Sequence, residues 1–488
     1  AWLKVYSREE FAGKPDKTNS KKPKLLPTPW WEKAPHKIKF FKNRVNRSVN
    51  EVYHFLLPDK AMLAVRNIAE QKKAHPEETK RMNTLIKNWT EPITDRDFNI
   101  LKRLSGKIDL LLKEYFQFQQ SVENLTQNKG NIWGVAGTPS LNLDTYAEKE
   151  RLNDVRYRHD NAYFRLKMVM DYWCALWFWE YDRTADLPTR EEYWNDIEAM
   201  LNVSDQELDA STTRALHNVH VDKHGQLGVF HEGYMSDMFQ QAEYEGMVAR
   251  EEANPYTTDA DSEIIQLSKE QVLAETKGFT DNFLHESQRY KIVMEYAARY
   301  HFFHPMLEFI EVFWLRDGFD IICGNPPWLK LEFDEQGIVS EKYPEVAIRN
   351  ISAPKVREIK LKLFKENFSL ESIYSIEETE HAGQAVFMNA YSNYPLLIGQ
   401  ANNLYKCILE NGFDLLNPNG FMGLLHPETV YDDPNGQPLR KELYRRLRYH
   451  FQFANELTLF SGVDHHTKYG EHIYGRKQEE VGFLSIHN

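Results

Sequence analysis

The chain has 488 residues, 42% hydrophobic and 13% aromatic, enough for about three domains with sizeable cores. A net charge of −12 argues against a generic nucleic-acid coat protein but leaves room for DNA binding through a local basic patch. No stretch approaches ~20 continuous apolar residues, so no membrane span is expected, and the three scattered cysteines (Cys174, Cys323, Cys407) make neither a disulfide framework nor a metal cluster and fit a reducing cytoplasm.

Residues 1 to about 50 are rich in Lys and Pro and read as irregular, with Leu26-Pro27-Thr28-Pro29-Trp30-Trp31 near the middle. Residues 58 to 125 read as helical. From Asp95 to Gln120, Phe98, Leu101, Leu104, Ile108, Leu111, Leu112 and Tyr115 recur at three- and four-residue spacings, the mark of an amphipathic helix. A Gly-rich break follows from Gln127 to Ser140. Residues 145 to 310 again read as helices, with loops near Ala185-Asp186-Leu187-Pro188 and Asn254-Pro255-Tyr256. Within them the aromatic run from Tyr172 to Trp179 reads as packed core. From residue 318 strands and helices alternate, the pattern of a doubly wound α/β sheet. The expected division is therefore an irregular and helical region over 1–140, a helical insertion or clamp over 141–310, and an α/β region over 311–488.

The α/β region opens on the most informative residues of the chain. Gly318-Phe319-Asp320-Ile321-Ile322-Cys323 reads as a short buried strand. It stops at Gly324-Asn325-Pro326-Pro327-Trp328. Neither proline has an N–H, and each restricts the backbone, so the turn is rigid and its carbonyls stay unpaired. The Asn325 amide and a stiff carbonyl form a two-acceptor fork suited to an exocyclic –NH2. Trp328 offers a flat face for a planar base. Ligands of doubly wound sheets bind beyond the carboxyl ends of the strands, where Asn325 would sit.

Asn-Pro-Pro-aromatic after a strand resembles the catalytic motif of S-adenosylmethionine-dependent amino methyltransferases. The preceding string Phe302-Phe303-His304-Pro305-Met306-Leu307-Glu308-Phe309-Ile310-Glu311-Val312-Phe313 narrows the resemblance to N6-adenine DNA methylases of type IIG restriction–modification enzymes and of the BREX and DISARM phage-defence systems. A helix from Asn403-Leu404-Tyr405 and a strand at Phe421-Met422-Gly423-Leu424-Leu425-His426-Pro427 follow in the order the resemblance implies. It covers residues 300 to 488. It implies a Rossmann-like class I methyltransferase sheet in the C-terminal part, after a large, mainly α-helical N-terminal region. Further implications are S-adenosyl-L-methionine as cofactor, double-stranded DNA as partner, a flipped adenine as substrate and a cytoplasmic location. Asn325, Pro326, Pro327 and Trp328 would be catalytic, with Asn325 and the Pro326 carbonyl accepting from N6–H. Phe460 would close the other side of the base pocket. The Gly-rich loop that holds the methionine part of the cofactor in this family is not found: either the chain, starting at Ala1, is a fragment with that loop upstream, which is the expectation, or the loop is degenerate, and its cofactor-binding residues are unassigned.

Three basic stretches stand out: Lys17 to Lys24, His36 to Arg47, and Arg440 to Arg448. Each reads first as a solvated loop or helix face. The last follows the methylase-like strand, which makes Arg440, Lys441, Arg445, Arg446 and Arg448 the candidate phosphate contacts. His217, His220, His224 and His231-Glu232 have zinc-like spacings, but no cysteine accompanies them, and they read as surface residues. Asp464-His465-His466 reads the same way, so no metal is expected. Gly134-Val135-Ala136-Gly137 reads as a loop rather than a phosphate cradle. Other readings stay open: an RNA or protein amino-group methyltransferase, a non-catalytic DNA-binding or assembly fragment, or a nuclease built on Glu358-Ile359-Lys360 or Glu275-Thr276-Lys277.

Overall fold

The computed structural model describes residues 3–8, 29–41, 44–126, 144–208, 267–274, 286–349, 351–366, 368–401 and 403–487. The chain passes back and forth between two units: Ala1–Leu57, Pro92–Tyr172 and Glu191–Phe319 form one, and Pro58–Glu91, Trp173–Arg190 and Asp320–Asn488 the other.

In the first unit a helix over Asp95–Thr126 buries all seven residues of the expected apolar stripe. Asp109 sits on the same helix. It pairs with the buried Arg47 at 2.6 Å and accepts from the Tyr53 hydroxyl at 2.7 Å. The described residues among the first fifty correct the irregular reading given to that stretch. Strands β1 (Lys4–Ser7), β2 (His36–Lys37) and β5 (Glu51–Tyr53) form an antiparallel sheet in the order β2-β1-β5, and β3 (Lys39–Phe41) pairs with β4 (Arg44–Asn46). These strands have two to four residues each, too few for a visible alternation, yet Val5, Ile38, Phe40 and Val45 are buried. The basic stretch from His36 to Arg47 is accordingly not a solvated loop. Lys37 reaches the Asp317 carboxylate at 3.3 Å, and His36 meets Glu51 at 2.8 Å.

The string before the tetrad is anchored in the same unit. His304 is fully buried, with Nε2 2.7 Å from Asp171 Oδ1, and Lys167 reaches the same carboxylate at 2.8 Å. Pro305 then opens a short helix, Pro305–Glu308, and a second runs over Ile310–Arg316. Asp317 (φ 57°) and Gly318 (φ 135°) turn the chain into the next strand, and at Gly318 a side chain would be strained.

The second unit holds a five-stranded sheet of order β10-β8-β9-β7-β6, with β6 at Phe319–Gly324, β7 at Leu416–Pro427, β8 at Leu447–Ala454, β9 at Lys468–Tyr474 and β10 at Leu484–His487. Strand β9 runs antiparallel to β7 and β8, and β10 parallel to β8. This mixed sheet fits a methyltransferase fold. One face is built for burial: Met422, Leu424, Leu447 and Tyr474 pack with Tyr405 and Leu409 of the helix Leu404–Leu415 and with Leu439 and Leu443 of the helix Gln437–Arg446. Asn403 caps the first of these helices, its Oδ1 accepting from Tyr405 N. On the opposite face Phe421 and Tyr449 remain exposed.

Strand β6 corrects a second expectation. It begins one residue later than the apolar run suggested, and it is not buried: Ile321 is 73% exposed, and Cys323 is open too. Among the described residues β6 lies at the sheet edge with β7 its only strand neighbour, and Ile322 alone turns its side chain to the core cluster. The aromatic run behaves as expected, for every residue from Tyr172 to Trp179 is buried. No described helix is long and apolar enough to cross a membrane.

Candidate base-binding site at the end of strand β6

The tetrad leaves β6 where the sequence places it. Asn325 and Pro327 are exposed, Pro326 is buried and Trp328 half-buried. The Asn325 amide has no partner among the described residues, and no described backbone N–H donates to the Pro326 carbonyl. Both acceptors are therefore available. Trp328 is fixed in two ways: its Nε1 donates to the Leu425 carbonyl at the end of β7 (3.2 Å), and its ring packs on the sheet core. The next residue, Leu329, accepts from Leu404 N at 3.0 Å, which ties the tetrad to the start of a helix.

An aromatic cluster stands beside the fork. The Trp328 ring centroid lies 4.8 Å from that of Phe460 and 5.7 Å from that of Tyr469, and Phe460 meets Tyr469 edge-on at 5.0 Å. Phe460 was expected from the sequence; Tyr469 was not. The Trp328–Phe460 spacing leaves no slot. A base stacked between two rings needs about 7–8 Å, twice a ~3.5–4.0 Å carbon contact. As the two rings stand, Phe460 covers Trp328, and a base could enter between them only after Phe460 moved.

Phe460 rides on a loop held by one buried side chain that sequence reasoning missed. Asn455 Nδ2 donates to the carbonyls of Phe460 (3.1 Å) and Val463 (3.0 Å), and its Oδ1 accepts from Phe460 N at 3.2 Å. The same loop exposes Leu457 and Leu459. A small polar residue at a strand end, with the turn formers Ser461, Gly462 and Asp464 six to nine residues on, was the available signal.

The basic candidates are largely occupied. Arg440 donates to the Asp433 carbonyl, Arg445 to that of Gln478 (2.8 Å), and Arg448 to those of Arg446 (2.9 Å) and Arg476. Arg446 pairs with Glu442 at 2.7 Å and lies over the Phe413 ring at 4.6 Å. Lys441 is exposed. The Glu358-Ile359-Lys360 sequence lies on a helix, Ala353–Glu366, where Lys360 is buried and bonded to Glu70 and Glu335 at 2.7 Å each, a structural network and not a strand-borne nuclease motif. The stretches Lys17–Lys24, Gly134–Gly137, His217–Glu232 and Glu275–Lys277 lie outside the described residues.

A second constellation escaped the sequence reading. Glu428, His450 and His472 are all buried, and one ligand atom from each lies within 4.8 Å of the others. Burial works against ionisation of Glu428, but the two imidazoles outweigh it and hold its carboxyl down at about 2. Burial also keeps the His472 and His426 imidazoles below their usual range, hence neutral. Asp464, His465 and His466 cluster too, but fully in solvent, with His466 N donating to Asp464 at 2.8 Å.

No curated protein matches the chain. Among solved structures it is similar to one described as a cryoEM structure of a DrdV–DNA complex, at 10% identity, over 84% of this chain and 45% of that one; the TM-score of 0.20 is too low to bear on the fold. The chain thus spans less than half of that protein. Residues 253–367, a segment that contains the tetrad Asn325 to Trp328, match the family described as Eco57I restriction-modification methylase.

Proposed function

We propose that this chain carries the catalytic end of an S-adenosyl-L-methionine-dependent N6-adenine DNA methyltransferase of a bacterial restriction–modification or phage-defence system. The observation that carries the reading is the free acceptor pair of Asn325 and the Pro326 carbonyl beside the Trp328 ring, inside the segment that matches a restriction-modification methylase. An adenine within a duplex cannot reach such a fork, so the base is flipped out. Asn325 and the Pro326 carbonyl accept from its amino group and orient the nitrogen lone pair. Trp328 stacks on the base, Phe460 swings aside and closes on the opposite face, and Lys441 with Arg440, Arg445, Arg446 and Arg448 borders the phosphates.

The cofactor supplies an electrophilic methyl group. Among the described residues no Gly-rich turn follows a strand in a way that would hold its adenosyl or methionine part, so none of them is assigned to it. What this chain contributes is orientation of the amine and exclusion of water around it, effects that account for much of the acceleration in such transfers.

The test is product analysis. The complete gene product is incubated with duplex DNA and methyl-labelled S-adenosylmethionine, and the DNA is digested to nucleosides. Label in N6-methyladenine supports the reading. Label in a cytosine product, in RNA or in protein, or no label with any acceptor, contradicts it.

A further inference from the structure

Glu428, His450 and His472 come from three places in the second unit. Glu428 follows the end of β7 at Pro427, His450 lies on β8, and His472 on β9 directly across from it in the antiparallel register. All three are buried, at 8%, 6% and 0% exposure. Glu428 Oε1 is 2.9 Å from His450 Nε2 and 3.3 Å from His472 Nε2. Ligands held at ~2.0–2.2 Å from one metal ion, at angles between right and tetrahedral, stand about 2.8–3.6 Å apart. Both spacings fall in that window.

Hydrogen bonding alone does not account for the cluster. Within ordinary geometric limits neither ring nitrogen of His472 makes a hydrogen bond, although the side chain is wholly buried: the Glu428 carboxylate at 3.3 Å and the Gly470 backbone are its polar neighbours, and both stand out of line. A buried imidazole with both nitrogens unsatisfied is costly unless something binds it. His450 is oriented in a matching way. Its Nδ1 lies 2.9 Å from Ser485 Oγ, which turns the ring so that Nε2 points at the carboxylate. Such an outer partner is typical of a ligating histidine. The space is kept open by Gly470, where a Cβ would come within 2.6 Å of Glu428 Oε1 and 2.8 Å of His472 Cε1.

We propose that Glu428 Oε1, His450 Nε2 and His472 Nε2 bind one divalent transition-metal ion, Zn2+ in the first instance. Two imidazoles and a carboxylate are a donor set that suits zinc and its neighbours and disfavours Mg2+ and Ca2+. Three protein ligands leave a fourth position for water, and the burial of all three argues for a structural role. Residues 469 and 472 point to opposite faces of β9, so the ion would lie across the sheet from the Tyr469 ring. It would pin the end of β7 to β8 and β9 without touching the base. The site is independent of the methylation reading.

The experiment uses the purified full chain. Metal content is measured as isolated, and the chain is then stripped with a chelator and titrated with Zn2+ or Co2+. The expected results are about one zinc per chain, a melting temperature raised by several degrees on reloading, and visible Co2+ absorption of a low-symmetry nitrogen–oxygen site. The Glu428→Gln and His472→Gln variants should lose the Co2+ band and the thermal shift, while a His465→Ala/His466→Ala variant keeps both. If Glu428→Gln does not fold, the wild-type measurements decide alone. Less than a tenth of an equivalent of metal together with no Co2+ band overturns the proposal. So does a band that survives Glu428→Gln or disappears with His465 and His466.

Discussion

Replacing Asn455 with Ala should unhook the loop that carries Phe460. The wild-type side chain is buried and, besides a long contact to the Asp464 carbonyl at 3.5 Å, makes three hydrogen bonds to the loop backbone, at 3.1, 3.0 and 3.2 Å. Each contributes about 0.5–1.5 kcal/mol net, so the three together come to roughly 1.5–4.5 kcal/mol. The backbone bond from Asn455 N to Thr467 O survives, as does the β8–β9 ladder below it, so the loss should be local rather than global. Two measurements check this. Hydrogen exchange should show residues 456 to 466 opening more readily, while β7, β8 and β9 keep their protection. Quenching of Trp328 fluorescence by acrylamide should increase, because Phe460 no longer covers the indole. Unchanged exchange in the loop, or an unfolding free energy lowered equally throughout the sheet, would refute the reasoning that Asn455 acts as a loop staple.

Trp328 both stacks and packs, and two substitutions separate the roles. Trp328→Phe removes the bond to the Leu425 carbonyl, about 0.5–1.5 kcal/mol of stability, yet keeps a ring and most methylation; Trp328→Ala should lose a further ~1–3 kcal/mol of base stacking, read as kcat/KM, and equal activities in the two variants would contradict a stacking role. His304 should make stability pH-dependent. Burial holds its imidazole down at about 4 in spite of the Asp171 contact, so the unfolded chain, with a pKa near ~6.5, binds the extra proton in between. The contribution is complete above pH ~6.5 and is lost as pH falls towards ~4, about 3 kcal/mol in all. Urea titrations of wild type and His304→Gln across that window should diverge, and parallel curves would count against the assignment. Lys441→Ala should weaken duplex binding at low salt and reduce the salt slope, with little change in folding, since Lys441 is exposed; an unaltered slope would remove it from the interface.

The proline pair made the tetrad legible, because two residues without N–H groups end a strand whatever surrounds them. The helix Leu404–Leu415 was placed by the resemblance, and Asn403 proves to be its cap. The strands of the first fifty residues were not, because runs of two to four residues between lysines carry no period. The edge position of β6 was hidden too, since an apolar, β-branched run reads as buried whether one neighbour or two flank it. The Glu428–His450–His472 cluster depends on register. Its members are 22 residues apart along the chain at each step, and only the pairing of His450 with His472 brings them together. Histidines at inward positions of two adjoining strand-like segments were the usable signal.

The central claim, that Asn325 and the Pro326 carbonyl hold the amino group of a flipped adenine, is tested most directly by Asn325→Ala in the complete gene product. The side chain is exposed and has no partner among the described residues, so the substitution should leave the unfolding midpoint within experimental error. Transfer of labelled methyl to adenine N6 should fall by a factor of about 100 or more, the effect of removing one preorganised polar group at a reacting centre. Methylation near the wild-type rate in a folded Asn325→Ala protein would contradict the account.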